Sequence, residues 1–366
     1  MTPGPGFRPI ADTTLDPNRG EYPPEPTVWP TLSVIMPVRN EAPHLAEAVE
    51  SVLAQHYPTP IELVLAVAPS SDDTMTIARR LARVDRSLVV IGNPTGRTPA
   101  GLNLAIEASS GQVIARVDAH SQLTPGYLRR ATATLLDTGA DNVGGIQRAV
   151  GATSFERSVA IAMTSRMGVG DAKFHYGGRP GPTDTVYLGV FDRSALERVG
   201  GYDESLLRNQ DYELNWRLRS SGGTVWFDPE LEVAYRPRGS FRALTRQYHD
   251  YGRFKRTMLQ ANPRSAKLRQ LIPPLTLAGV GAGLGLAASG RRWGLMAPLV
   301  YLAGLLSATL ANGRSHLARP EPPAGESSDQ VSPSAGALVE VARLPAVFAI
   351  MHGAWATGFF RGALSD

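Results

Sequence analysis

The sequence predicts an α/β domain, a mostly parallel sheet with helices on both faces, joined to C-terminal transmembrane helices. Three observations carry that prediction. From residue 32 to about residue 226, short apolar runs alternate with stretches of helical periodicity, the pattern of a parallel sheet layered by crossover helices. Residues 271–290 and 293–313 contain no charged side chain, and a bilayer core takes about 20 apolar residues per helix. The stretch just before them, 236–269, holds ten basic residues against one acid, Asp250, a bias that marks the cytoplasmic flank of a span.

Each element follows from the residues in order. Residues 1–31 are rich in Pro, Gly and polar residues, without the apolar segment of a secretory leader, and are expected to be a flexible tail. Residues 32–38 form an apolar run closed by Arg39, Asn40 and Glu41, which reads as a buried strand and a polar turn. Across 44–55, Leu45, Val49, Val52 and Leu53 share one helical face. A second strand covers 61–67; Ser70, Ser71, Asp72 and Asp73 then cap a helix over 74–84. A third strand spans 88–91, a helix 100–109, and another strand 113–117. The domain is expected over 32–235, a basic juxtamembrane segment over 236–270, and two transmembrane helices over 271–313. A Pro/Ser/Glu-rich loop over 314–337 leads to a third transmembrane or interfacial helix over 338–366. Its apolar part, 344–360, lies between Arg343 and Arg361 and holds His352.

Composition narrows the chemistry. The chain has 366 residues, 43% hydrophobic and 19% charged, which excludes a wholly disordered protein. There is no cysteine, so thiolate nucleophiles, disulfides and Cys-based zinc sites are excluded. Net charge is +4, too small to argue for a nucleic-acid partner, and none is expected. The mean hydropathy of −0.13 averages a polar α/β region with an apolar C-terminal part.

In a parallel sheet the ligand sits at the carboxyl ends of the strands. Three polar clusters stand there: 37–41, 68–73 and 118–120. Asp118 and His120, two residues apart after a strand, can both reach a divalent cation; the alternative is a polar turn. Glu41 is either a base-edge contact or a solvated turn. Arg97, ahead of a helix, suits a phosphate or is an exposed loop arginine. Gly144 and Gly145 can let a ligand approach the backbone closely or simply make a turn. His175, Arg179 and the glycines and prolines of 177–182 suggest a mobile loop that could cover a ligand, or a surface excursion.

The ordered set of motifs resembles the inverting nucleotide-sugar glycosyltransferases of family 2. Ser33-Val34-Ile35-Met36-Pro37-Val38-Arg39-Asn40-Glu41 resembles the family's opening strand and loop, and Ser70-Ser71-Asp72-Asp73-Thr74 the later part of its second-strand motif. Asn93 to Asn103, with Arg97 and Gly101, matches its next loop, and Val117-Asp118-Ala119-His120 stands where the family has D-x-D. Gly189-Val190-Phe191-Asp192-Arg193, then Gly200-Gly201-Tyr202-Asp203-Glu204, resembles its acceptor-side segment. Gln210-Asp211-Tyr212-Glu213-Leu214, with Arg217 and Leu218, resembles its E-D motif. The D-x-H form and the C-terminal apolar helices are closest to the membrane-attached branch related to succinoglycan-biosynthesis transferases.

That resemblance implies a GT-A fold and a nucleotide-diphosphate sugar donor, a UDP-sugar by default, held with Mn²⁺ or Mg²⁺. It implies Pro37, Arg39, Glu41, Asp72, Arg97, Asn103, Asp118 and Gly145 on the donor side, and Asp118 with His120 at the metal. An imidazole in place of a carboxylate favours the softer Mn²⁺. Gly189, Gln210, Gln247 and Arg253 fall on the acceptor side. Asp211 becomes the general base, although a carboxylate there also suits a helix N-cap. The chain departs from the family at Val67, Ala68 and Pro69, where the pattern carries Asp and Gly; the base-contacting carboxylate is missing. Gln247 lacks the Trp of the processive synthases' Q-x-x-R-W signature, so a single transfer is expected. The implied function is a membrane-anchored inverting transferase, multi-pass in the cell membrane with its catalytic domain cytoplasmic. It moves one sugar to a lipid-linked or growing glycan acceptor, and membrane lipid is a further partner. A polyprenyl-phosphate sugar synthase and a non-catalytic scaffold of a glycan-assembly complex are the alternatives.

Overall fold

Strands that are apolar along their whole length need cover on both faces, and the first half of the chain supplies it. The computed structural model describes residues 22–318 and 333–362. It opens with β1 (Leu32–Val38), α1 (Leu45–Leu53), β2 (Ile61–Val67), α2 (Thr74–Val84), β3 (Leu88–Gly92), α3 (Thr98–Ala108) and β4 (Val113–Arg116). A short β5 (Gln122–Leu123), α4 (Tyr127–Thr138) and β6 (Asn142–Ala149) follow, then α5 (Ser154–Met163), α6 (Arg166–Val169) and α7 (Lys173–Tyr176). Next come β7 (Gly181–Pro182), β8 (Tyr187–Asp192), α8 (Arg193–Val199), α9 (Gln210–Ser220) and β9 (Val225–Tyr235). The rest is helical: α10 (Phe241–Ala261), α11 (Leu268–Ala288), α12 (Met296–Leu317), α13 (Pro333–Ala342) and α14 (Leu344–Gly362).

The described strands form one sheet in the order β3-β2-β1-β4-β8-β6-β9-β5, with β7 on β9. The first four are parallel, in register Leu32↔Ile61 and Leu32↔Val113. Beyond β4 the sheet turns mixed: β8 is antiparallel to β4 and to β6, and β5 and β7 are antiparallel to β9. The expected mostly parallel sheet therefore describes its first half. The later strands carry Gly144, Gly145, Asp228, Glu230 and Glu232, which interrupt the apolar runs by which the first four are read. The sheet core is built from residues such as Val34, Met36, Leu63, Leu65 and Val190, each at 0% exposure. Helix ends are tied to it: Arg193 donates to the carbonyls of Ser109 (2.9 Å) and Ile106 (3.3 Å), closing the C-terminus of α3.

The chain divides into two compact units. The first holds the chain up to Gln147, Gly177–Glu204 and Leu214–Ala234. The second holds Arg148–Tyr176, Ser205–Glu213 and the chain from Tyr235 onward. β9 ends at Tyr235, and 148–176 and 205–213, inside the domain expected over 32–235, fall in the second unit with the C-terminal helices. Of the tail expected over 1–31, residues 1–21 lie outside the described residues. Beyond them, Trp29 packs edge-on to Tyr57 with centroids 5.4 Å apart, and the Tyr57 hydroxyl donates to the Pro30 carbonyl at 2.9 Å. The second unit has its own core around Val159, Leu244, Leu344, Val347 and Phe348. Three of its helical segments are long and apolar enough to cross a membrane: Leu268–Ala288, Arg292–Leu317 and Ala335–Gly362. The last is broken at Arg343 into α13 and α14, and of the expected loop 314–337, residues 319–332 lie outside the described residues.

Candidate active site

The four parallel strands end on one edge of the sheet, and the loops leaving them are tied to each other. Asn40 takes a left-handed backbone, φ +54°, which Asn tolerates because its short amide bonds locally. Its Oδ1 accepts from the Ser71 N–H (2.8 Å), and its own N–H donates to Ser70 Oγ (3.1 Å). The Glu41 N–H donates to Thr74 Oγ1 (2.8 Å) and the Ala42 N–H to Asp72 Oδ2 (3.1 Å). The other Asp72 oxygen accepts from the Thr74 hydroxyl and from its N–H (3.1 Å). The Thr74 hydroxyl, helped by these N–H groups, holds the Asp72 carboxyl below the usual carboxylate range. Asp72, expected on the donor side, is thus a clamp between the β1 and β2 loops. Arg39 reaches the neighbouring loop, its Nη1 donating to the Gly96 carbonyl at 3.4 Å. Pro37 lies past the last β1–β4 pair, Ile35↔Arg116.

At the end of β4 stands Asp118. Arg116, 5% exposed, donates from Nε to Asp118 Oδ1 at 3.0 Å, and its guanidinium lies 5.9 Å from the Tyr202 ring centroid. His120 Nδ1 is 3.0 Å from Glu41 Oε1, which makes Glu41 a partner of the imidazole. Among the described residues, no three His, Cys, Asp or Glu side chains converge as a metal cage. Asp118 and His120 bring a carboxylate and an imidazole, an oxygen and a nitrogen ligand type. That set suits an ion that fills its remaining positions with phosphate oxygens and water.

Other expected donor-side residues have structural duties. Asn103 uses its whole amide on the loop after α8: it donates to the Tyr202 carbonyl (2.9 Å) and Glu204 Oε1 (3.0 Å) and accepts from the Tyr202 N–H (2.8 Å). Gly145 does not open space for a sugar, because a Cβ there would lie 1.8 Å from the Leu231 carbonyl oxygen. Strand packing requires that glycine. Gly189, expected on the acceptor side, is enclosed in the same way: its Cβ would meet Asn142 Oδ1 at 2.3 Å and the Phe191 ring at 2.4 Å. Arg97 stays exposed, immediately ahead of α3, and Asn93 Nδ2 donates to its carbonyl at 2.9 Å.

Asp211 belongs to the second unit, in the first turn of α9, one residue after the buried Gln210. The residues beside it are pinned. Asn209, with φ +62°, donates from Nδ2 to the Tyr251 carbonyl (3.2 Å), and the Tyr212 hydroxyl donates to the Ser265 carbonyl (2.9 Å). The ammonium of Lys255, 2% exposed, sits 3.6 Å from the Tyr212 ring centroid. A carboxylate in a helix's first turn is stabilised as the anion by the helix dipole. Gln247 donates to the Tyr235 (2.9 Å) and Tyr251 (3.0 Å) hydroxyls. Burial pushes the Tyr251 hydroxyl up to about 12. Arg253 is exposed on α10. His175, expected in a mobile loop or a surface excursion, lies in α7 with its Nδ1 enclosed and, among the described residues, without a hydrogen-bond partner.

The model of the family "Glycosyl transferase family 2" matches residues 33–200. The succinoglycan biosynthesis protein ExoA of Rhizobium meliloti is 31% identical over 336 residues, 90% of this chain and 94% of that protein. The chain belongs to glycosyltransferase family 2. The glycosyltransferase AglE of Haloferax volcanii is 34% identical over 118 residues, 32% of this chain and 39% of its own length. Among solved structures, the mannosyltransferase PcManGT from Pyrobaculum calidifontis, in complex with GDP-Man and Mn²⁺, has the same fold. Its TM-score is 0.58 at 18% identity, over 94% of this chain and 90% of that one.

In this family 2 glycosyltransferase two residues escape a reading of sequence motifs. Arg116 carries a charge inside an otherwise apolar strand, a signal visible in the sequence and overlooked because the run still reads as a strand. Lys255 is one of three lysines in a chain that otherwise uses arginine. Its burial under Tyr212 depends on the packing of α10.

Proposed function

We propose that this enzyme is a membrane-anchored inverting glycosyltransferase of cell-envelope or extracellular polysaccharide synthesis. It moves one sugar from a nucleotide-diphosphate sugar, a UDP-sugar by default, to a lipid-linked or growing glycan acceptor. The observation that carries the reading is the pair of fixed side chains after β4, with Arg116 on Asp118 and Glu41 on His120. A divalent ion held there would supply positive charge opposite the leaving diphosphate. With Glu41 Oε1 accepting from Nδ1–H, a metal-bound His120 would meet the ion through Nε2, its ring oriented by the carboxylate. The mixed oxygen–nitrogen set favours Mn²⁺ over Mg²⁺.

Asp211 is the general base. It takes the proton of an acceptor hydroxyl while that oxygen bonds to the anomeric carbon and the bond from this carbon to the diphosphate oxygen breaks. One carboxylate suffices for this single displacement, which inverts the configuration. The pinned Asn209 and Tyr212 hold its backbone in place, as a base needs. The three long apolar helical segments support membrane attachment, and the basic stretch before them supports a cytoplasmic catalytic domain.

The test is Asp211→Asn with a radiolabelled donor. Transfer should be lost while donor binding, measured by thermal shift, stays as in the wild type. Wild-type turnover of the variant rejects the base. A wild-type product that is labile to mild acid would instead make the acceptor a carrier phosphate.

A further inference from the structure

α14 is as apolar as a membrane span, but the structure uses it differently. A helix that is hydrophobic all round is either a core helix or a span, and exposure tells the two apart. α11 and α12 bare large side chains: Leu275 is 64% exposed, Leu299 60%, Val300 70% and Leu310 61%. α14 instead buries its large residues within the second unit, with Leu344, Val347, Phe348 and Met351 at 1% or less. Its exposed positions are Ala346, Ala349, Thr357, Phe360 and Arg361, mostly small or polar.

What covers α14 is α10. The two backbones approach through glycines: a Cβ on Gly252 would lie 2.0 Å from the Trp355 carbonyl, and one on Gly358 would lie 2.0 Å from the His249 carbonyl. Leu244, Tyr248, Lys255 and Met258 are on the buried side of α10. The opposite stripe carries Arg242, Arg246 and Arg253, all exposed, at spacings of four and seven residues that keep them on one face. Among the described residues, no carboxylate pairs with these three. Any slab of hydrocarbon around α14 would also enclose this arginine stripe, which is costly. The neighbouring α13 adds Glu340, buried between Arg157 and His316 Nε2, the latter at 2.9 Å.

We propose that α10 lies in the headgroup layer with Arg242, Arg246 and Arg253 on anionic lipid phosphates, and that α14 is its scaffold and does not cross the bilayer. The arginine stripe stands immediately ahead of the first span, α11, where a polybasic segment meets anionic headgroups. The end of α14 then lies on the same side of the membrane as the end of α12.

The absence of cysteine makes the test clean. Ser328→Cys and Ser365→Cys are introduced singly into the full chain and labelled in sealed vesicles with a membrane-impermeant maleimide. Both should label from the same side; labelling from opposite sides means that α14 crosses and overturns the proposal. The lipid half is read by native mass spectrometry of the detergent-solubilised protein titrated with phosphatidylglycerol or phosphatidylcholine. The wild type should retain phosphatidylglycerol several-fold over phosphatidylcholine, and the triple variant Arg242→Gln/Arg246→Gln/Arg253→Gln should lose that preference. Equal retention of the two lipids by the wild type, or an unchanged preference in the variant, overturns it.

Discussion

Glu41→Ala isolates the contact on which the proposed metal site depends. Glu41 Oε1 stands 3.0 Å from His120 Nδ1, with the side chains 19% and 42% exposed. Losing an outer partner of a metal-binding histidine typically costs 10–100-fold in metal affinity, or about 1.4–2.7 kcal/mol. The exposure of His120 lets water replace part of the lost interaction, so the expected loss is at the lower end, about tenfold. Glu41→Gln keeps an acceptor oxygen and should lose less. The measurement is Mn²⁺ binding to the purified full chain in detergent with a nucleoside diphosphate, followed by the electron paramagnetic resonance signal of free Mn²⁺. Wild-type affinity in Glu41→Ala would refute the orienting role. If Asp118→Asn and the wild type bind Mn²⁺ alike, the metal site itself is wrong.

Other outcomes follow from the same geometry. Gly145→Ala drives a methyl into the Leu231 carbonyl, a backbone atom that cannot swing away; thermal unfolding should show a loss near the upper end of about 1–3 kcal/mol. Asp72→Ala frees the Ala42 and Thr74 amides, which should exchange hydrogen several-fold faster by mass spectrometry, while amides of β4 stay unchanged. Burial, with Arg269 adding to it, lowers His175 to about 3. The unfolded chain regains a value of about 6.5, so between these limits it binds a proton that the folded chain refuses. The stability this histidine allows is therefore complete above about pH 6.5 and is lost on acidification. A melting-temperature series from pH 7 to 4 should fall less steeply in His175→Gln than in the wild type.

Much of this protein is legible in its sequence because the first half is periodic. β1 to β4 are short apolar runs separated by amphipathic helices, and parallel order places their polar ends on one edge. Asp118, His120 and Glu41 are placed on that edge in this way, as polar residues just past buried strands. The later strands escape the same reading. β6 and β9 mix glycine and carboxylates with apolar residues, and their antiparallel partners are far away in the chain. Side-chain duties are also hidden: Asp72, Asn103 and Gly189 fit a motif, yet their atoms are spent on loop clamps and close packing.

The sequence by itself determined the parallel half of the sheet, the edge on which its polar loops gather, the apolar C-terminal helices and the basic stretch before them. All of these are local patterns of burial and charge, set by periodicity along the chain. Only the tertiary structure decided that Glu41 belongs to His120, that Arg116 belongs to Asp118, that Lys255 lies under Tyr212 and that α14 is packed as a core helix. Those facts depend on which distant segments meet. An apolar helix has the same composition whether lipid or protein covers it, and the neighbours that decide between them are brought there by the fold.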